Sequence, residues 1–571
     1  MLWYTLYKNV VKGVYFMQSK AKKLLAVVLA IVFVFPLGLL AASAAGSNVP
    51  VIYCHGDQTI YKTDENGEVH QLFDDDEYFS KFADGIVPLI AKSVVSGDWT
   101  EYSEKALDVF LPAFEGYAPN PDGTLPENSF IEWTWNEASL RPVYYMGRHP
   151  VYEFHPDSRL SVMVLADQVN DYVEAVKRKT GASKIILLGR CEGTAISSAY
   201  LYKYARPVDY ANLESVWYIN GTVNGCAYAD AVLSGTVSIQ ANGGYYFLRN
   251  LDSYTALARE LDGGLDEEIL SLLNDTVEML HETYGIYVTV DLLQRIYDAL
   301  KDIFLAKLLK AYWGIIPCFV STANEHYEEY KDYIFAEEGD KEKYANIIAA
   351  TDDFHYNVQV PLADYLLEAA AAGVSVNSFV EYGTQQYPLN EECELVGDFM
   401  ISAKSQSFGA TTSKVNETLE QKYINRRTAE GKGKYISPDK QIDASTCLFP
   451  DNTWFVKNLI HGFPEQLDRF LGVVLADPAN TVETTKYGQF LQYDEKQPEF
   501  FAMEEVNVND MVWENDDPGS GTRNFATRVG NFLIKIINFV RGIIDGIVAH
   551  ANGRAEPIKE NPLLETTTDA P

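Results

Sequence analysis

The chain has 571 residues, 47% hydrophobic and 22% charged, a globular composition that excludes disorder as the main state. At roughly 150 residues per domain, it accommodates three or four domains, or one large enzyme domain with insertions. Lys and Arg total 46 against 80 Asp and Glu, a net charge of −34, so a phosphate backbone is repelled and no nucleic-acid partner is expected.

Lys20, Lys22 and Lys23 precede an apolar run from Leu24 to Leu40, followed by Ala42-Ser43-Ala44. This is the layout of a secretory signal peptide over residues 1–45, with residues 1–16 readable as a start-site extension before Met17. The run approaches the lower limit for a membrane span, so a retained anchor is the competing reading. A secreted or extracytoplasmic location is expected, and there disulfides are permitted. Six cysteines are too few for a disulfide scaffold.

Val49 to Cys54 is an apolar, β-branched run that stops at His55-Gly56, which predicts a buried strand and a tight turn. From Asp57 to Pro156 the chain is mixed, aromatic and acidic. Apolar residues at Leu165, Val169, Tyr172, Val173 and Val176 predict a helix ended by Gly181. Lys184 to Leu188 reads as a second buried strand, Thr194 to Ala205 as a helix, and Ser215 to Ile219 and Val374 to Tyr382 as further strands. Strands alternating with helices predict an α/β fold with a mostly parallel sheet covered on both faces. Two amphipathic stretches, Ile269 to Leu280 and Ile296 to Leu308, form a helical cap or simply cover the sheet. Near the C-terminus, Lys535, Asn538, Arg541 and Asp545 make a polar stripe on an otherwise apolar helix, suited to docking on protein or to a membrane surface.

Gly189-Arg190-Cys191-Glu192-Gly193-Thr194 stands between a predicted strand and a predicted helix. It matches the G-x-S-x-G nucleophile elbow with cysteine in the serine position. The glycines permit a strained turn that projects the central side chain, and the helix N-terminus and Arg190 favour thiolate. The bland alternative is a small buried residue in an ordinary strand-to-helix turn. The amide of Glu192 supplies one oxyanion donor, and the turn at Gly56 and Asp57 supplies the second, which makes His55 structural rather than catalytic.

With these segments in view, the chain resembles the α/β-hydrolase superfamily, most closely secreted bacterial lipases and the lecithin:cholesterol acyltransferase-like group. The resemblance rests on Val51 to Gly56, Lys184 to Thr194, Val396 to Ile401 and Asn458 to Gly462. It implies Asp398 as the triad acid and His461, which precedes Gly462, as the base. Such enzymes place Gly after the acid, whereas Phe399 stands here. The histidines agree independently, since only His461 and His550 follow the acid. Asp352, Asp353 and Asp364 are alternative acids in helical surroundings.

The organisation expected is a hydrolase core at 46–245 and 346–475, a cap at 246–345, an accessory segment at 476–529, an amphipathic helix at 530–552 and a disordered tail at 553–571. The activity expected is hydrolysis or transfer of apolar acyl groups from esters or thioesters through Cys191, His461 and Asp398. The rivals are a catalytically weakened binding protein on the same fold and a cell-surface interaction protein that uses residues 530–552. No cofactor and no metal are expected, as no C-x-x-C or H-E-x-x-H spacing occurs. His326 to Glu329 and Asp352 to His355 read as solvated helix faces. A Cys393–Cys447 bridge is one pairing the composition allows.

Overall fold

A computed structural model describes residues 49 to 504 with breaks, the longest at 72–84, 240–290 and 302–323. The residues expected to form the signal segment, most of those expected to form the cap, and those expected to form the C-terminal helix and tail therefore lie outside the described residues. Among those described, no helix is long and apolar enough to cross a membrane.

Among the described residues nine strands form the central sheet: β1 (Val51–Cys54), β2 (Tyr144–Met146), β3 (His149–Phe154), β4 (Ile185–Arg190), β5 (Leu213–Ile219), β6 (Ser375–Tyr382), β7 (Thr453–Lys457), β8 (Phe490–Asp494) and β9 (Glu499–Ala502). Their order is β9-β8-β7-β6-β5-β4-β1-β3-β2. The pairs from β3 through β8 are parallel, while β2 and β9 join antiparallel at the two edges. The fold is α/β. The predicted strands at Val49, Lys184, Ser215 and Val374 lie side by side at its centre, where both faces are buried and near-continuous apolar runs are expected.

The period-two alternation of strand side chains divides the core into two layers. Ile52, Leu187, Val216 and Val376 pack on one face against α1 (Val162–Thr180) and α2 (Gly193–Tyr200). Helix α1 starts after Ser161, whose hydroxyl accepts from the Met163 amide, and ends, as expected, at Gly181 in the left-handed region. On the opposite face Val51, Leu188, Trp217, Phe379 and Trp454 pack against α6 (Glu465–Val474), named in sequence with α3 (Tyr327–Ile334), α4 (Ala345–Phe354) and α5 (Leu362–Ala371). Trp217 stacks on Trp454 at 5.5 Å, and Phe470 meets Trp454 edge-on at 5.6 Å.

Several expectations are revised. The helix from Thr194 ends at Tyr200 and passes into a π-helical turn over Leu201–Ala205. The accessory segment supplies β8 and β9, so it completes the sheet. Cys393 and Cys447 are both free and buried; Cys447 turns its thiol to the Ala444 carbonyl at 2.7 Å, and burial raises both thiols to about 12. The two clusters read as separate solvated faces instead pack together. Tyr327 on α3 stacks on buried His355 at 3.7 Å, and its hydroxyl donates to Asp352 on α4 at 2.5 Å. Asp364 lies in the first turn of α5.

Trp454 is fully buried, and its indole N–H donates to the Tyr487 carbonyl at 3.2 Å. Truncating it opens a cavity between the sheet and α6. Trp454→Ala is expected to cost about 3–5 kcal/mol, seen as a lower denaturant midpoint.

Candidate active site

The elbow follows from steric demands at three consecutive points. A Cβ on Gly189 would lie 2.7 Å from both the Gly193 carbonyl oxygen and Ser197 Oγ. A Cβ on Gly193 would lie 2.1 Å from the Cys54 carbonyl oxygen, so α2 can approach β1 only through a glycine. Between them Cys191 has φ of 50°, in the left-handed region that an L side chain enters at a cost. Its carbonyl accepts from the Thr194 amide at 3.0 Å and the Thr194 hydroxyl at 2.5 Å, and its amide donates to the Ile219 carbonyl at 3.1 Å. The turn is held on both sides, with the Cys191 side chain carried above the C-terminal edge of the sheet.

Gly56, at the end of β1, borders the same space: a Cβ there would stand 3.6 Å from Cys191 Cβ and 3.7 Å from the Glu192 amide nitrogen. Glu192 itself opens α2. Asp57 lies outside the described residues.

Asp398 follows the two-residue strand Val396–Gly397 in a tight turn. One carboxylate oxygen accepts from the amides of Met400 at 3.0 Å and Ile401 at 2.7 Å, and the other faces His461 Nδ1 at 2.8 Å. The turn needs a positive φ after the acid. Phe399 supplies it at 88°, at the position where the sequence resemblance leads one to expect glycine, and its buried ring offsets part of the strain. His461 lies beyond β7 and is 4% exposed.

Burial alone would lower the His461 pKa, but the Asp398 carboxylate and the Cys191 sulfur, both also hydrogen-bonded to the ring, hold it well above its usual value. The structure thus brings Cys191, His461 and Asp398 into one chain of contacts. It leaves Asp352, Asp353 and Asp364 on helices α4 and α5.

Beneath this chain is a buried polar layer in which Arg190, expected from the sequence to favour the thiolate, meets Tyr53 and Glu381, which the sequence did not mark. Arg190 Nη2 donates to the His461 carbonyl at 3.1 Å and its guanidinium is hydrogen-bonded to the Tyr53 hydroxyl. Glu381, one residue from the end of β6, is fully buried and accepts from Asn220 Nδ2 at 3.2 Å. Desolvation and the nearby Asp398 charge raise its pKa to about 8, against the lowering effects of His461, Arg190 and Asn220. The available signal was an acid in the apolar C-terminal half of a strand, between Val380 and Tyr382. A separate cavity of about 870 Å³, lined by Tyr202, Arg206, Tyr210 and Glu368 among others, contains none of these residues.

No protein-family model and no curated protein matches the chain. Among solved structures, the crystal structure of the Tle4-Tli4 complex aligns over 60% of this chain and 76% of that one, with 12% identity and a TM-score of 0.22. At that score the likeness adds nothing to what the strand order shows.

Glu381 gives the site a defined pH signature. Between the ordinary glutamate value and about 8, the folded chain keeps a proton that the unfolded chain releases. Stability from this group is therefore full below the unfolded value and is lost as pH rises through the folded one. Glu381→Gln keeps the Asn220 contact and cannot ionise. Its stability relative to wild type is expected to rise with pH across that window and level off above it, as read from denaturant midpoints between about pH 4 and 9.

Proposed function

We propose that this chain is an acyl hydrolase or acyltransferase that works through a cysteine nucleophile on esters or thioesters with an apolar acyl part. The observation that carries the reading is the contact chain from Cys191 through His461 to Asp398, set on a strained strand-to-helix turn. The apolar character of the substrate comes from the sequence resemblance, as does the extracytoplasmic location expected from residues 1–45. Contact with a membrane or cell surface would fall to residues 530–552.

In the proposed reaction, His461 takes the thiol proton on the ring nitrogen opposite Asp398, or already holds it there as the ion-pair partner of the thiolate, and Cys191 Sγ bonds to the substrate carbonyl carbon. The oxyanion collects at the Glu192 amide and the turn at Gly56 and Asp57. On collapse the bond to the leaving alcohol or thiol breaks, and that group takes the proton from His461. An acyl-thioenzyme remains. Water, or another hydroxyl or thiol acceptor, then attacks while His461 removes its proton; the carbon–sulfur bond breaks, and the returned proton restores the Cys191–His461 pair. Asp398 fixes the imidazole orientation throughout and stabilises its charged form.

Turnover of nitrophenyl esters and of thioesters of graded chain length tests this. Wild type should turn over, Cys191→Ala should lose all activity above background, and His461→Ala should fall by about 10²–10⁴-fold in kcat/KM. Activity found in Cys191→Ser with an inert wild type would contradict the proposal and identify the cysteine as having disarmed the fold, leaving a binding protein.

A further inference from the structure

A second group of side chains stands at the same end of the sheet and takes no part in the proposed chemistry. Strands β1 and β3 are parallel neighbours with Tyr53 opposite Glu153, and the ladder continues through the His55 amide, which donates to the Phe154 carbonyl at 3.0 Å. Alternation therefore puts Tyr53, His55, Glu153 and His155 on one side of two adjoining strand ends. The contacts follow: His55 Nε2 is 3.6 Å from one Glu153 oxygen, and His155 Nε2 is 3.4 Å from the other. All three ligand atoms lie within 4.8 Å of one another. His55 Nε2 is shut off from solvent and has no hydrogen-bond partner.

From this geometry we propose that His55, Glu153 and His155 form a binding site for a divalent transition-metal cation of the zinc class. Two imidazoles and a carboxylate are an established donor set for zinc with a fourth position left open. Bonds of 2.0–2.1 Å at tetrahedral angles separate neighbouring ligand atoms by about 3.3–3.4 Å. The nitrogen-to-oxygen separations already lie close to that edge. The two rings are stacked with centroids 4.1 Å apart and planes 16° from parallel. Near-parallel rings do not by themselves aim both nitrogens at one point, so a bound cation would turn each ring about its Cβ–Cγ bond to converge. The strand ends supply the rigidity such a site requires. Because Gly56 follows His55 directly and lies against the elbow, metal binding ties β3 to the turn beside Cys191. The cluster of Asp64, Glu68 and His70 is different: Asp64 there is occupied by the amides of Asn66 and Glu68 in an exposed turn.

The test uses the full-length chain carrying Cys191→Ala, which removes the competing thiol, stripped of metal and titrated calorimetrically with zinc. One equivalent should bind. Added Glu153→Gln or His155→Ala should weaken binding by more than the roughly 10–100-fold that outer-shell changes cost, while added His70→Ala should leave it unchanged. Cobalt in place of zinc should give the intense visible bands of a tetrahedral ion, read on the parent protein without any further substitution. No bound zinc, a cobalt spectrum of octahedral type, or undiminished binding in Glu153→Gln would each overturn the proposal. Loss of zinc binding alongside intact esterase activity in wild type would leave the acyl-transfer reading standing, since the two sites share no ligand.

Discussion

The constraint on which the site depends is the closeness of α2 to β1 at the elbow. With the Gly193 Cα tucked under the Cys54 carbonyl, no side chain fits between helix and strand. The chain must then leave β4 and enter α2 within two residues, and Cys191 absorbs the reversal at positive φ. Strain of this kind persists only where its surroundings over-determine it. Here the fixing contacts come from Gly189, Thr194 and the Ile219 carbonyl. The same closeness carries Gly56 to the elbow and makes an anion site between β1 and α2 geometrically available.

Electrostatics adds a second requirement. A charged ring at His461 would be buried, which is costly without partners. Asp398 provides one, and its own carboxylate is spread over two backbone amides. The Arg190 guanidinium reaches the loop backbone at His461 rather than the ring, so a positive group steadies the histidine without contacting the imidazole. Glu381, driven toward its neutral form, adds a polar wall without a full second negative charge beside Asp398. The layer therefore favours one negative carboxylate next to one positive ring.

Much of this was legible in the sequence because its signals are local. Apolar runs ending in glycine mark β1, β4 and β6, and the glycine pair around Cys191 marks the elbow. Chain order narrowed the base to His461 and His550, and the resemblance, with His550 at the end of the expected amphipathic helix, favoured His461. The missing pieces depend on register or on tertiary burial. His55 and Glu153 are almost a hundred positions apart and meet only because β1 and β3 pair with Tyr53 opposite Glu153. Glu381 reads as one polar residue in a strand until burial on both faces is known. Strands β8 and β9, Phe490–Asp494 and Glu499–Ala502, mix apolar and polar residues without a continuous apolar run, a weaker pattern than the central strands. Phe399 shows the opposite case: a phenylalanine stands where a positive φ favours glycine, yet the backbone adopts the positive φ that the turn demands.

The central claim is that Cys191 is a nucleophile served by His461. The most direct measurement is the intact mass of the protein after brief exposure to an activated acyl ester. One acyl group should add to wild type, map to Cys191, be absent from Cys191→Ala and form more slowly in His461→Ala. No adduct across several chain lengths, or the same adduct in Cys191→Ala, would contradict it.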